Sequence, residues 1–211
     1  MGTEKKCENC FLFQSICVCQ FLSPIETRTS IVVVAHRKEL FKVTNTGRLA
    51  CLNLTNSHLI SFGEKDKPLD LSDFKNNGKK NYLLFPSEHA VPLDQIKPPE
   101  SHVNLFLPDG NWRQAKKIAN RLSRQMDFVS VKLPPGPPGE YQIRYHPDTS
   151  KICTIEAIMR SLQYLEPEVK LAALKNLFLL MRDRLLWKKG SIKLEQIHSY
   201  MESSINAPQQ N

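Results

Sequence analysis

The sequence predicts an α/β protein, with a mostly parallel sheet flanked by helices. Three observations predict it. Ile31-Val-Val-Val-Ala35 is a continuous, mostly β-branched run, which suits a strand buried on both faces. Val103–Leu107 is a second short apolar run, followed by turn residues and an amphipathic helix. Strand and helix patterns then alternate through the middle of the chain, with no internal repeat.

The elements follow in order. After Ile31–Ala35 comes His36-Arg-Lys-Glu39, at the strand's carboxyl end, where ligands sit in open α/β sheets. For His36 and Arg37 a ligand role and a plain polar strand end are both open. Asn45-Thr-Gly-Arg48 reads as a turn into a helix or strand, with Arg48 a candidate phosphate contact. Leu59-Ile60 and Tyr82–Phe85 are further strand candidates, and the polar stretch between them reads as surface. Pro86 ends the latter run sharply, as a plain terminator or as a wall for an adenine ring. Residues 92–99 read as a connecting loop.

Pro108-Asp109-Gly110 is turn chemistry, and Asn111 is placed to cap a helix opening at Trp112. Trp112, Ala115, Ala119 and Leu122 share one face of that helix; Arg113, Lys117, Arg121 and Arg124 share another. Trp112 is open to two readings, a core residue or a stacking surface for a base. Arg113, Lys116, Lys117, Arg121 and Arg124 have no acidic residue among them, which suits a phosphate backbone; a solvated charged face is the alternative.

Phe128–Lys132 is another strand and Pro134–Gly139 a stiff polyproline-like loop. Tyr141–Tyr145 alternates and fits an edge strand, with residues 146–150 a loop. Thr154 is expected to cap a helix through Leu165, with Ile155, Ile158, Met159, Leu162 and Leu165 at helical spacing. A second helix is expected from Pro167 to Lys189, stopped by Gly190. Ser203–Asn211 is polar and expected to be disordered.

At 211 residues and 41% hydrophobic content the chain supports one sizeable core with small appendages. We divide it into an N-terminal metal-binding segment (1–25), a central domain (26–190) and a C-terminal extension (191–211). A net charge of +8 and a pI of about 9.2 favour nucleic acid or an anionic surface as partner. No apolar run reaches the roughly 20 residues a bilayer span needs, so no membrane partner is expected. The N-terminus lacks a signal-peptide core, so the expected compartment is reducing and cytoplasmic. Cys7, Cys10, Cys17 and Cys19 form C-x2-C-x6-C-x-C, which in a reducing compartment reads as a tetrahedral, structural zinc site, with ordinary thiols or a redox pair as the alternatives. Cys51 and Cys153 lie in apolar surroundings and read as core.

Asp109-Gly-Asn-Trp-Arg-Gln-Ala-Lys-Lys117 resembles the signature of the DTW-domain family of tRNA-uridine aminocarboxypropyltransferases, although Asn111 stands where that family usually has Thr. The N-terminal cysteines, His36–Glu39, Asn45–Arg48, Leu84–Ala90, Arg144 and Cys153–Ala157 fall in the same order, so the resemblance runs from Cys7 to about Arg184. It implies a SPOUT-like fold with a C-terminal trefoil knot, S-adenosylmethionine as donor and tRNA as acceptor. The implied reaction moves the 3-amino-3-carboxypropyl group to N3 of a uridine and releases 5′-methylthioadenosine. Its catalytic residues would be Asp109, as base, and Trp112. The donor would be held by Phe85, Pro86, Leu107 and the Asp109–Trp112 turn, with Gly110 and Asn111 offering backbone N–H groups. Arg144 and Thr154 would serve its carboxylate and Glu156 its ammonium. Arg37 joins the basic helix residues as an RNA contact. A SPOUT-type methyltransferase and a non-catalytic, zinc-containing RNA-binding module are the alternatives. Monomer and homodimer are both open.

Overall fold

The computed structural model describes residues 4–75, 77–141, 143 and 152–197. Six strands form one all-parallel sheet: β1 (Ser30–His36), β2 (Ser57–Phe62), β3 (Lys80–Leu84), β4 (Val91–Pro92), β5 (Val103–Asp109) and β6 (Val129–Lys132), in the order β2-β1-β5-β3-β6-β4. The helices are α1 (Thr46–Asn53), α2 (Ser72–Lys75), α3 (Trp112–Leu122), α4 (Thr154–Leu165) and α5 (Ala172–Lys188).

The continuous apolar runs are explained by two cores. On β1 and β5, Ile31, Val33, Ala35, Leu105 and Leu107 face one core, shared with α1, α4 and α5. Val32, Val34 and Phe106 face the other, where Ile118, Ala119 and Leu122 of α3 cover them. Each fully buried aliphatic side chain stabilises by about 1.5–3 kcal/mol. The cysteine segment is built into the larger core through Cys10, Leu12, Ile16 and Val18. The stretch between β2 and β3 also contributes, because α2 buries Phe74 edge-on against Phe106, with ring centroids 5.2 Å apart.

Several boundaries differ from the sequence expectation. β5 does not stop before Pro108: Pro108 and Asp109 pair with Val34 and Ala35 of β1. The register with β3 ends at Phe106, so Pro108 sits where the ladder is one-sided and a missing N–H is tolerated. Val91–Pro92 is a two-residue edge strand followed by a 3-10 turn at Leu93–Gln95, not plain loop. Of the expected edge strand, Tyr141 and Ile143 lie in no strand, and the remainder, with the 146–150 loop, lies outside the described residues, as do residues 198–211.

Cys153, not Thr154, caps α4, and its backbone N–H donates to Glu156 Oε2 at 3.0 Å. α5 opens at Ala172, five residues after Pro167. Glu166 ends α4 by accepting the backbone N–H groups of Arg28 and Thr29 at 2.8 and 3.0 Å, and a turn follows it. Gly190, at φ 74°, closes α5 as expected, with Ser191 N–H to Leu186 O and Gly190 N–H to Trp187 O both at 2.8 Å.

Candidate active site and metal centre

The carboxyl edge of the sheet gathers the chemistry. Asp109 ends β5 and turns its carboxylate toward α1 and α4. Oδ2 accepts from Asn45 Nδ2 at 3.0 Å, and Oδ1 accepts from the Thr154 hydroxyl at 2.6 Å. Gly47 closes the third side, since a Cβ there would lie 2.9 Å from both Asp109 Oδ2 and Val33 Cγ1. A carboxylate with a donor on each oxygen is held in one orientation.

The turn after Asp109 is equally constrained. Asn111 Oδ1 accepts from Gln114 N–H at 3.0 Å, and Gln114 Oε1 accepts from Asn111 N–H at 2.8 Å, a capping box that starts α3. Asn and Thr both cap helices, so Asn111 can do the capping work of a Thr. A Cβ on Gly110 would sit 2.9 Å from Gln114 Cβ, so glycine is required for this box. Gln114 Nε2 also reaches His36 Nδ1 at 3.2 Å, and the Lys38 N–H reaches the same nitrogen at 3.2 Å. Two donors on Nδ1 assign His36 as the neutral Nε2–H tautomer. Burial first, and the Lys38 charge second, lower its pKa in the same sense.

Trp112 is not core. It is 56% exposed and stacks on Phe85, ring centroids 5.2 Å apart and 26° between planes. Beside the pair, a cleft of about 300 Å³ runs between α3 and the segment after β3. Arg113, Lys116, Lys117, Arg121 and Arg124 are all exposed, as is Arg37 at the end of β1, and none forms an ion pair among the described residues.

The other expected donor contacts fall as follows. Pro86 and Asn111 are exposed, Phe85 and Gly110 half-buried, Leu107 buried. Glu156 is buried, with its oxygens on the backbone N–H groups of Glu140 and Cys153. Arg144 lies outside the described residues. Arg48 is committed elsewhere and is no phosphate contact. It donates to Leu40 O and Asn9 O, each at 3.3 Å, and packs 4.1 Å over the Phe11 ring. Asn45, Gly47 and the Thr154 hydroxyl as neighbours of Asp109 were not read from the sequence. Asn45 before a helix signals a cap, but its second role has no local signature.

The four N-terminal cysteines converge. Cys7 and Cys19 Sγ are 3.6 Å apart, Cys10 and Cys17 Sγ 3.7 Å, and all four lie within 4.8 Å of one another. Tetrahedral zinc with Zn–S near 2.3 Å has an S···S edge of about 3.8 Å, so this donor set fits the ion. Backbone N–H groups of Cys10 and Asn9 pull the Cys7 thiol down to about 7, despite some burial. Burial pushes Cys51 up to about 12 and raises Cys153, the behaviour of unreactive core thiols.

Fold and site together define an α/β protein with an oriented carboxylate at the carboxyl edge of a parallel sheet, a basic helix beside it and a cluster of four cysteines that could hold a metal ion. Residues 4–186 match the DTW domain, and the chain belongs to that family. It is 27% identical over 196 residues to tRNA-uridine aminocarboxypropyltransferase 2 of Drosophila melanogaster, covering 86% of this chain and 76% of that protein. The proteins of the same name in Macaca fascicularis and Mus musculus are 27% and 26% identical, each covering 76% of this chain and 56% of the relative. The chain thus spans little more than half the length of these mammalian relatives. No solved structure matches. Among the described residues no helix is long and apolar enough to cross a membrane.

Proposed function

We propose that this protein is a tRNA-uridine aminocarboxypropyltransferase that uses S-adenosylmethionine. The observation that carries the reading is the Asp109 carboxylate, held at 2.6 and 3.0 Å between the starts of α4 and α1 at the sheet's carboxyl edge. Its family membership and its relatives' names point the same way.

Uracil N3 holds its proton at neutral pH and must lose it to attack carbon. In this reading Asp109 accepts that proton, and its fixed orientation is the positioning a general base needs. S-adenosylmethionine, when bound, supplies a carbon activated by its sulfonium; N3 bonds to that carbon as the carbon–sulfur bond breaks, and 5′-methylthioadenosine leaves. Gly110 and the opening turn of α3 offer N–H groups to a carboxylate, with Arg144 as a further cation for it, while the Asn111 N–H is already engaged by Gln114 Oε1. Phe85, Pro86, Leu107 and Trp112 border the same edge. Thr154 and Glu156 are already engaged, Thr154 on Asp109 and Glu156 on two backbone N–H groups, so they act by holding the site's shape. Arg37, Arg113, Lys116, Lys117, Arg121 and Arg124 take tRNA phosphates.

Zinc at the cysteines is structural, because four protein ligands leave no open position. A SPOUT-like course with a C-terminal knot belongs to the same reading. The all-parallel sheet and the placement of α4 against the end of β5 support it.

The test is nucleoside mass spectrometry of unmodified tRNA after incubation with the protein and S-adenosylmethionine. Aminocarboxypropyl-uridine with released methylthioadenosine is the expected result. A methylated nucleoside would move the chemistry to methyl transfer. Tight tRNA binding with no modified nucleoside would favour a binding module.

A further inference from the structure

We propose that Phe41 is a stacking platform for one unstacked nucleotide of the acceptor RNA, next to the uridine that reacts. The proposal rests on the tRNA-modifying reading above and gives the acceptor a side of approach, opposite the donor.

Among the described residues Phe41 is the most exposed large hydrophobic side chain, at 59%. Its backbone is nevertheless pinned. The Phe41 carbonyl accepts from Lys6 Nζ at 3.1 Å, the Leu40 carbonyl accepts from Arg48 Nε at 3.3 Å, and Leu40 is buried. Phe11 meets the Phe41 ring edge-on, with centroids 5.3 Å apart and planes at 89°. Phe11 itself has φ 59°, which among the described residues no other non-glycine residue shares with it in the left-handed region. A bulky side chain is seldom found there, and such a conformation persists only where its surroundings enforce it. Here it sets the Phe11 ring 4.1 Å from the Arg48 guanidinium and against Phe41. The cysteine segment thus supports, at a conformational cost, a phenyl ring that stays in water.

The charge around the ring points to the partner. Arg37 and Lys38 precede Phe41 by four and three residues, and both are exposed. Lys5 and Lys6 are exposed on the cysteine segment, which Lys6 ties to Phe41. Glu39 is paired with Lys42, and Glu4 with Lys188. An aromatic ring among cations is the chemistry that takes single-stranded RNA: a base stacks on the ring and its phosphates meet the positive charge. A second copy of this chain, which carries +8, would bring like charge to the patch.

The sheet order sets the direction of approach. β5, which ends in Asp109, lies between β1 and β3. Phe85 and Pro86, assigned above to the donor, follow β3, whereas Phe41 follows β1. Neighbouring strands lie about 4.8 Å apart, so β1 and β3 are about 10 Å apart across β5. The Asn45 amide ties the Phe41 segment to the carboxylate. Its Nδ2 donates to Asp109 Oδ2 at 3.0 Å and to Glu39 O at 3.1 Å, two residues before Phe41. A donor on the β3 side and an RNA on the β1 side therefore meet at Asp109, and neither needs the other's surface.

The test measures binding of unfractionated tRNA, binding of S-adenosylmethionine, and transfer, in the native chain and in Phe41→Ala, Phe41→Leu and Phe41→Tyr. Thermal unfolding establishes that each variant is folded. Phe41→Ala should weaken tRNA binding by about 5- to 100-fold, the range for one base–aromatic stack. Phe41→Leu should not restore it, and Phe41→Tyr should bind tRNA as the native protein does. S-adenosylmethionine affinity should stay the same in all three. Leucine keeps the apolar bulk without the ring, so native tRNA affinity in Phe41→Leu would overturn the proposal and leave Phe41 a packing residue. Unchanged tRNA affinity in folded Phe41→Ala would overturn it too. So would a native dimer that Phe41→Ala dissociates without loss of tRNA affinity, which would make the patch a contact between copies. Weaker tRNA binding by Phe41→Ala, with no aminocarboxypropyl transfer by the native protein, would uphold the platform while removing the enzymatic reading. Transfer by the native protein, with KM for tRNA unchanged in Phe41→Ala, would remove the platform alone.

Discussion

Asn45 and Asp109, 64 residues apart in the chain, meet at 3.0 Å, the Asn45 amide donating to the carboxylate. The same Asn45 side chain caps α1 by accepting from Arg48 N–H at 2.6 Å. One residue thus fixes both a helix start and the group we assign as base. Asn45→Asp keeps a capping oxygen but sets a second carboxylate beside Asp109. We predict kcat reduced at least tenfold, together with a loss of thermal stability, because the Asn45 amide that is replaced also donates to Glu39 O at 3.1 Å. Asn45→Ala should lose about 1 kcal/mol of stability through the cap as well. Thermal unfolding and single-turnover rates separate the two effects.

Gly47→Ala should destabilise by about 1–3 kcal/mol. The added methyl would meet Asp109 Oδ2 and Val33 Cγ1, each at 2.9 Å, and Val33 is fully buried in a central strand and cannot move aside. Denaturant unfolding reads the stability, and the rate should fall further than global unfolding explains, because Asp109 must give way.

How much of this was legible in the sequence follows from how local each feature is. Asn111 as the cap of α3 could be read because its partner is three residues away. The cysteine spacing could be read because four ligands fall within one short segment. The donors on Asp109 come from 64 and 45 residues away, and no periodicity encodes them. Trp112 sits on the apolar face by helical spacing, yet the first turn of α3 overhangs the edge of the sheet, where it stacks on Phe85 and stays more than half exposed. Arg48 looked free for phosphate because the sequence cannot show Asn9 and Phe11 folding back over it.

That fold-back yields a prediction for the metal. Arg48 joins the cysteine segment, through Asn9 O, to α1, the helix that Asn45 caps. Removing zinc with a chelator, or replacing Cys10 by Ser, should lower the unfolding temperature and also reduce turnover. Metal analysis of the native protein should give one zinc per chain. A protein free of zinc, with native stability, would contradict the assignment.

His36 sets a pH dependence. Its folded pKa is below the ordinary 6.5, because burial and then Lys38 disfavour the charged ring. The unfolded chain therefore takes up this proton first as pH falls. The stability is fully present above about 6.5 and declines below it, toward the folded value. His36→Gln, which keeps an acceptor for the Lys38 N–H, should flatten the slope of urea midpoint between about pH 7.5 and 5.5. Equal slopes in both proteins would show that other groups set it.

The basic stripe predicts a salt effect. Replacing Arg113, Lys117 and Arg121 together by Ala should weaken tRNA binding and reduce the slope of log K against log salt, by roughly 0.7–0.9 for each phosphate that the variant leaves unneutralised. S-adenosylmethionine affinity should not change. Binding isotherms at several salt concentrations measure both.

The central claim is that the aminocarboxypropyl carbon, not the methyl, reaches a uridine under the control of Asp109. The direct measurement uses S-adenosylmethionine carrying one isotope in the methyl group and another in the aminocarboxypropyl chain, with native protein and Asp109→Asn. We predict the chain label in tRNA uridine, the methyl label in methylthioadenosine, and neither transfer by Asp109→Asn, although that variant still folds and binds tRNA. Methyl label in the tRNA, or full transfer by Asp109→Asn, would contradict the account.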